Sequence, residues 1–563
     1  MSWATDSAAI QPVSSLAASR TDAALASLRP WWRERVARAG LGTEWADLDT
    51  ALDAPAPGLL PPDDTMPTLA DAYTLGLNYV ESLDARERSA HGRHYTPKNL
   101  SAQLWSMARK ALGFGVDLRP LPGLVRDPAC GAGALLVPVL REHLGATAHA
   151  DPTLVLASLP QLVEGIDTDP WAAYIASVVL AAEMLPTLAR VAPGRRRPLP
   201  ALARAGDGLD PALSPAAAWI MNPPYGRQRL SIEQRTLFAD SLYGHANLYA
   251  LFLAAASRNV APKGVVGALV PTSFTSGLYF HRLRDQVSQR TPLRRLAFVQ
   301  ERAGVFGGVL QETCLAVFST ANSRKVTVER ITGGEVSSVA DVPSPRTSHP
   351  WLIPREASDA ALAAAASKLP LTLKDTGWHA STGPLVWNRR RAELHARNAP
   401  NRVFVLWAAD MDGGRVHRDR SRDALRFLDM RDDNDRRVNT LTTPAVLVQR
   451  TTAPEQTRRL LVAELTQDKL TELGGAIVVE NHVNVLRPST HSPLLTRATL
   501  VRVLNSPTFD RLMRCISGSV AVSSYELGSL PLPDADTLAE WNSLTGDALD
   551  AAITRTYRPA GIS

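Results

Sequence analysis

A chain of 563 residues has room for two or three domains with substantial cores. Its 45% hydrophobic and 21% charged content is that of an ordinary globular protein, and its longest apolar runs, such as 248–256 and 265–270, fall short of the roughly 18 residues a membrane span needs, so no membrane partner is expected. The net charge of +6 rests on arginine, with seven lysines among 61 basic residues; a high-GC coding genome and phosphate contact both explain that bias, so nucleic acid is a permitted partner.

The first residues show no basic stretch followed by an apolar one, and Cys130, Cys314 and Cys515 are too scattered for a disulfide framework or a zinc site. Both features point to a reducing cytoplasm. Residues 1–90 read as a helical region, with helical spacing at 23–28, 31–36 and 68–84 and a proline-rich break at 54–62. They carry no recognisable chemistry. A polar loop, His91 to Lys98, then leads into a helix with Thr96 as its expected N-cap and Pro97 in its first turn.

The next two hundred residues alternate strands and helices. Leu124–Leu136 reads as strand, glycine turn and helix, and its sequence Asp127-Pro128-Ala129-Cys130-Gly131-Ala132-Gly133 lets backbone approach a ligand closely. A second strand ends at Asp167-Thr168-Asp169, a third at Asp207, a fourth at Asn222. An acid at the end of the second strand is a common way to hold ribose hydroxyls. Taken singly, Asp127, Asp167 and Asp207 could each be no more than a strand-end cap, and Asp169 reads as a helix N-cap. Further strands are expected at 264–270, 293–299 and 309–319, with an apolar helix at 247–260. The predicted fold is therefore α/β, a doubly wound, mostly parallel sheet of about seven strands whose ends line one crevice.

The fourth strand closes in Asn222-Pro223-Pro224-Tyr225. The prolines fix φ, remove donors and push Asn222 out of the helical region. What remains is a rigid, acceptor-rich knuckle, in which the Asn222 amide oxygen and the Pro223 carbonyl can both meet one planar amine beside the Tyr225 ring. An alanine-, serine- and proline-rich stretch at 326–369 reads as a linker. Beyond it, in 370–563, the alternation is lost among short strands, arginines and tryptophans.

In their order and spacing, Tyr95-Thr96-Pro97, Asp127–Gly133, Asp167, Asp207 and Asn222-Pro223-Pro224-Tyr225 resemble the adenine-N6 DNA methyltransferases of bacterial restriction–modification systems, in the arrangement that places cofactor binding first and target recognition last. The resemblance covers about 90–320, and more loosely Asn481–Arg487 and Ile516–Pro533. It implies an S-adenosylmethionine-dependent catalytic domain at 91–325 and an α+β target-recognition domain at 370–563. Tyr95, Thr96, Asp127, Ala129, Gly131 and Gly133 would cradle the methionine part of S-adenosyl-L-methionine, Asp167 the ribose, and Asp207 the adenine of the cofactor. Asn222 and Pro223 would engage the target amino group with Pro224 and Tyr225, and Phe306 would close the other face of a flipped base. The implied partners are double-stranded DNA and a separately encoded restriction endonuclease.

None of the seven lysines has an acid two residues before it, the pattern common in metal-dependent nucleases, so no fused cleavage activity is expected. Same-chemistry alternatives are RNA or protein-glutamine methylation, and the chain could also be a modification subunit active only in a larger complex. Trp378, Trp387 and Trp407 read as core; Arg389–Arg391 reads either as a solvated face or as phosphate contacts.

Overall fold

Short runs rich in valine, alanine and isoleucine, each ending in an acid, an amide or a proline, build the central sheet. The computed structural model describes residues 15–63, 71–84, 95–300, 312–321, 323–452 and 456–558, with side chains from residue 21 onward. Two compact units emerge: Met1–Phe274 with Arg282–Ser338 and Ser344–Ser348, and Thr275–His281 with Val339–Pro343 and His349–Ser563.

The strands expected between 120 and 320 are β1 (Val125–Asp127), β2 (Val163–Asp167), β3 (Ala203–Ala205), β4 (Ala216–Met221), β5 (Val260–Pro271), β6 (Leu293–Val299) and β7 (Thr313–Ser319). Two more follow, β8 (Lys325–Thr332) and β9 (Glu335–Pro343), and among the described residues the sheet order is β9-β8-β6-β7-β5-β4-β1-β2-β3. β3, β2, β1, β4 and β5 are parallel neighbours, and β7 runs antiparallel between β5 and β6. The architecture is α/β, with a mixed, mostly parallel sheet flanked by helices. From β1 the chain winds outward to β3, then returns to place β4 on the other side of β1. That reversal opens a crevice beyond the carboxyl ends of β1 and β4, where open α/β sheets bind ligands.

The stretch expected as a linker, 326–369, contains regular structure. β8 buries Val326, Val328, Glu329 and Ile331, and Ala360–Ala366 is helical. The β-branched residues of Val-Thr-Val-Glu-Arg-Ile outweigh the serine and proline content that follows.

One correction concerns apolar length. Helix Pro170–Ala189 is, among the described residues, the one helix long and apolar enough to cross a membrane, and 78% of its most apolar window is buried. A helix that is apolar all round is a core helix when protein covers it. Here Leu28, Trp32 and Leu199 share its core. The helices of the first ninety residues, Leu28–Arg38 and Ala72–Ser82, thus belong to the same hydrophobic core as the sheet.

The second unit is β-rich. One sheet runs in the order Trp378–Thr382, Val483–Pro488, Ala445–Gln449, Val462–Leu465, Arg415–Val416, Met411–Asp412. Another runs Leu394–His395, Phe427–Asp429, Arg402–Leu406, Ile477–Val479, Thr440–Leu441. Helices Arg497–Asn505, Pro507–Ile516, Ala535–Ser543 and Gly546–Thr556 supply Leu504, Phe509, Trp541 and Ile553 to a core shared with the first sheet.

Candidate active site

The turn after β1 is shaped by what it must clear. Gly131 and Gly133 adopt φ of +49° and +83°, which side-chain-bearing residues rarely take. A Cβ on Gly133 would lie 3.2 Å from Ala176 Cα in the core helix, whereas one on Gly131 would meet nothing within 4 Å. The turn is therefore packed on one side and open on the other. Beyond the end of β3, Gly208 sits so close to this turn that a Cβ would lie 1.8 Å from the Pro128 carbonyl oxygen. That approach draws the end of β3 against the end of β1.

Each of the three acids accepts a backbone N–H two residues ahead: Asp127 from Ala129 at 3.1 Å, Asp167 from Asp169 at 2.9 Å, Asp207 from Leu209 at 2.8 Å. The strand-end cap reading is thus met at all three. Asp167 does more, since its second oxygen accepts from Gly131 N at 2.8 Å and ties the glycine turn to β2. Asp169 is the N-cap of the core helix, with Pro170 behind it, and Tyr79 Oη donates to it at 2.7 Å.

At the end of β4 the knuckle is rigidly held. Asn222 Nδ2 donates to Thr96 Oγ1 at 3.0 Å, and Tyr225 Oη lies 3.1 Å from both Asn222 Oδ1 and the Leu269 carbonyl of β5. The Tyr225 ring meets Tyr249 edge-on, at 6.2 Å and 85°, and Tyr249 Oη lies 2.8 Å from Ser273 Oγ. Pro223 is buried and Pro224 half-buried. The Tyr225 hydroxyl faces inward, and burial raises its pKa well above that of a free phenol, so it stays protonated.

Thr96 is not the helix N-cap. Pro97 holds that position, with φ −59° and ψ 146°, and the helix runs Lys98–Ala111 without a side-chain cap. Its hydroxyl, which the Thr-Pro pairing had marked for a cap, goes to Asn222 instead.

Tyr95, Thr96, Asp127, Ala129, Gly131 and Asn222 line one cavity, with Val80, Cys130, Ala132, Ala134 and Leu135 completing its wall. Gly133, Asp167 and Asp207 stand beside that cavity and do not line it. His94 and Phe306 lie outside the described residues. Val80 was missed because a valine on an N-terminal helix has no chemical signature; its position follows from the packing of Ala72–Ser82 against the glycine turn. There, a Cβ on Gly76 would lie 2.7 Å from Tyr95 and 2.8 Å from Ala132. Arg126 was missed as well: it is 2% exposed, bonds Glu164 of β2 at 2.6 Å, and lies 5.0 Å from the Trp219 ring of β4, lacing the three central strands together.

Burial raises the pKa of Asp127 well above the ordinary carboxylate value, with the Asp167 charge adding to it; burial does the same more mildly to Asp207. For a raised carboxyl the stability contribution is full below the unfolded pKa and is lost as pH rises through the folded one. Asp127→Asn removes that loss while its amide oxygen can still accept from Ala129. The variant should be more stable than the wild type by about 0.5–2 kcal/mol at pH 8, with the difference closing toward pH 4. Thermal melts across that range check it, and a destabilised variant at pH 8 would refute it.

In the second unit Trp378 and Trp407 are core, 2% and 4% exposed, and half-buried Trp387 packs 6.2 Å from Trp407. Arg390 is held by Glu393 and Asp435, Arg391 lies over the Trp387 ring, and Arg389 is exposed. In the loosely family-like stretch, Asn484 is buried and donates to the Val522 carbonyl at 2.8 Å, and Glu526 closes a capping box with Ser523.

Fold and site together define an α/β chain with a crevice beyond the ends of β1 and β4 and an Asn-Pro-Pro-Tyr knuckle on its wall. Comparison with known proteins agrees. The family described as Eco57I restriction-modification methylase matches residues 218–306, a span that includes the knuckle. The type II methyltransferase M.PstI of Providencia stuartii is 26% identical over 341 residues, 57% of this chain and 66% of its own length. M.BsuBI of Bacillus subtilis is 21% identical over 330 residues, 57% of this chain and 65% of its own. The chain thus spans just under two thirds of these curated relatives. Among solved structures, the type IIG restriction endonuclease BpuSI superposes over 96% of this chain and 74% of its own, at 13% identity and a TM-score of 0.47. The chain is homologous to methyltransferases of restriction–modification systems.

Proposed function

We propose that this protein is a site-specific DNA methyltransferase that transfers a methyl group from S-adenosyl-L-methionine to the N6 amino group of a flipped adenine. The observation that carries the reading is the placement of Asn222 on the wall of the cavity that also holds Asp127 and Gly131. Target amine and cofactor would meet there.

The lining of the cavity suits the amino-acid end of such a cofactor. Gly131 leaves open space where a side chain would stand. The Tyr95 hydroxyl is buried with no hydrogen-bond partner among the described residues, as a group awaiting a polar ligand would be. Asp127 and the turn's backbone would hold the amino-acid end, and Asp167 and Asp207 the nucleoside. When bound, the cofactor supplies an electrophilic methyl group on a sulfonium, so the reaction asks for neither a metal nor a strong base.

The protein's share of the work concerns the nitrogen. An adenine amino group is a poor nucleophile because its lone pair is delocalised into the ring. Asn222 Oδ1 and the Pro223 carbonyl would accept hydrogen bonds from its two N–H groups and draw it toward tetrahedral geometry, freeing the lone pair to bond the methyl carbon as the carbon–sulfur bond breaks; the methylated nitrogen then loses one proton to solvent. Flipping the base out of the duplex costs a few kcal/mol. Stacking on the knuckle's aromatic face and on Phe306 would offset about 1–3 kcal/mol per contact.

Incubating the protein with labelled S-adenosyl-L-methionine and unmethylated bacterial DNA should label adenine in one short motif, and no transfer to any duplex would sink the proposal. Transfer to RNA or to a glutamine amide would move the activity to another acceptor, and transfer seen only with added subunits would make the chain a modification subunit. Affinity for DNA should fall steeply with salt, by about 0.9 log unit per log unit of salt for each phosphate neutralised. Salt-independent binding would count against a duplex partner. A separately encoded endonuclease of the same specificity, and a place in the cytoplasm beside host DNA, complete the reading.

A further inference from the structure

We infer that Thr96 is a positioning residue for Asn222: its hydroxyl accepts from the carboxamide nitrogen and thereby fixes which end of the amide faces the target amine. The inference rests on the proposed methyl transfer and adds a role that the resemblance does not assign to Thr96, which it places on the cofactor.

A carboxamide is nearly symmetric in shape and opposite in function at its two ends. With Oδ1 toward the substrate, Asn222 accepts from an amino group. Rotated by half a turn, it would present N–H donors to the donors of that same group. Something must choose between the two orientations. Thr96 Oγ1, 3.0 Å from Nδ2, takes the nitrogen end, and the Tyr225 hydroxyl lies 3.1 Å from both Oδ1 and the Leu269 carbonyl. An amide oxygen has two lone pairs, so Oδ1 can accept from Tyr225 and from substrate together.

Thr96 is well placed to hold firm. It is 5% exposed and leads directly into the helix Lys98–Ala111. That helix is pinned by Ser101 Oγ to the Ala134 carbonyl at 2.6 Å and by Trp105 Nε1 to Glu142 at 2.6 Å. The two residues are 126 positions apart in sequence, so the bond also ties the entry to the catalytic region to the end of β4. Pro97 serves as N-cap without a side-chain bond, so the threonine hydroxyl has no part in capping.

The test compares three substitutions in the full-length protein, by single-turnover methyl transfer, calorimetric titration of the cofactor and thermal melting. Thr96→Val keeps the shape and removes the acceptor. Its transfer rate constant should fall about 10- to 100-fold, the range for a buried donor left unpaired, while cofactor Kd stays within about threefold. Thr96→Ser should restore the rate. If Thr96→Val fails to fold, the same split is read between Thr96→Ser and Thr96→Ala. An unchanged rate in the valine variant overturns the inference. So does a cofactor Kd that weakens as much as the rate falls, which would assign Thr96 to the cofactor instead. If the wild type methylates RNA or a glutamine amide and not duplex DNA, the DNA reading fails and this inference stands, since those acceptors present the same planar amine. No transfer to any acceptor overturns both.

Discussion

Asn222→Ala is expected to lower methyl transfer about a thousandfold, in line with removal of a preorganised polar group that acts on the reacting atom, while the protein still binds cofactor. The separation follows from the site. The cofactor's expected contacts are Tyr95, Thr96, the β1 turn and the ends of β2 and β3, and of these the glycine turn is held from β2, by the Asp167 bond to Gly131 N. Nothing in that bond depends on the Asn222 side chain. The amine's contacts are the carboxamide and the Pro223 carbonyl, and alanine removes the first. It also leaves Thr96 and the Tyr225 hydroxyl without their shared partner, although Tyr225 keeps the Leu269 carbonyl. The fold should therefore survive. Titration calorimetry with cofactor and single-turnover transfer on DNA are read together: wild-type rates would remove the knuckle from the mechanism, and loss of both properties would make Asn222 a structural residue.

The parts of this design that were legible in sequence are those written in local pattern. Buried parallel strands appear as short apolar runs, and the acid, amide or proline at each end marks where the strand stops, so β1 to β7 could be read along the chain, though not their order in the sheet. The failures share a cause as well. Thr96-Pro97 carries a helix-start signature, and the hydroxyl is diverted by a residue 126 positions away. The apolar run of helix Pro170–Ala189 is interrupted by Ser177, Glu183, Pro186 and Thr187, which hide its extent. β8 was lost in the composition of the segment behind it. Val80 and Arg126 act through packing, and no local rule reports which surface a helix will lie against. Long-range partners, more than secondary structure, are what the linear pattern withholds.

The largest stability effect is expected in the second unit, at Arg426. Its side chain and that of Asp410 are both fully buried, 2.8 Å apart at the closest. Arg426 also donates to the Val405 and Asp419 carbonyls, and its guanidinium lies 5.0 Å from the Phe404 ring. Asp410 in turn accepts from the backbone N–H groups of Trp407 and Asp419, each at 2.8 Å. The pair therefore holds the segment 405–426 to itself by charge and by backbone. Arg426→Leu leaves a buried carboxylate with backbone donors alone, and breaking such a pair on one side costs about 3–5 kcal/mol. Leucine added to Asp410 as well should not restore the wild type, because the Trp407 and Asp419 N–H groups would then lose their acceptor. Urea unfolding of the full chain would show the early loss as a transition separate from that of the first unit. Cofactor titration of Arg426→Leu should still match the wild type, since the cavity at Asp127 and Asn222 is built from residues of the first unit. An unchanged unfolding profile would show that the charge pair contributes nothing net. Loss of cofactor binding along with the second unit's stability would mean that the two units fold as one.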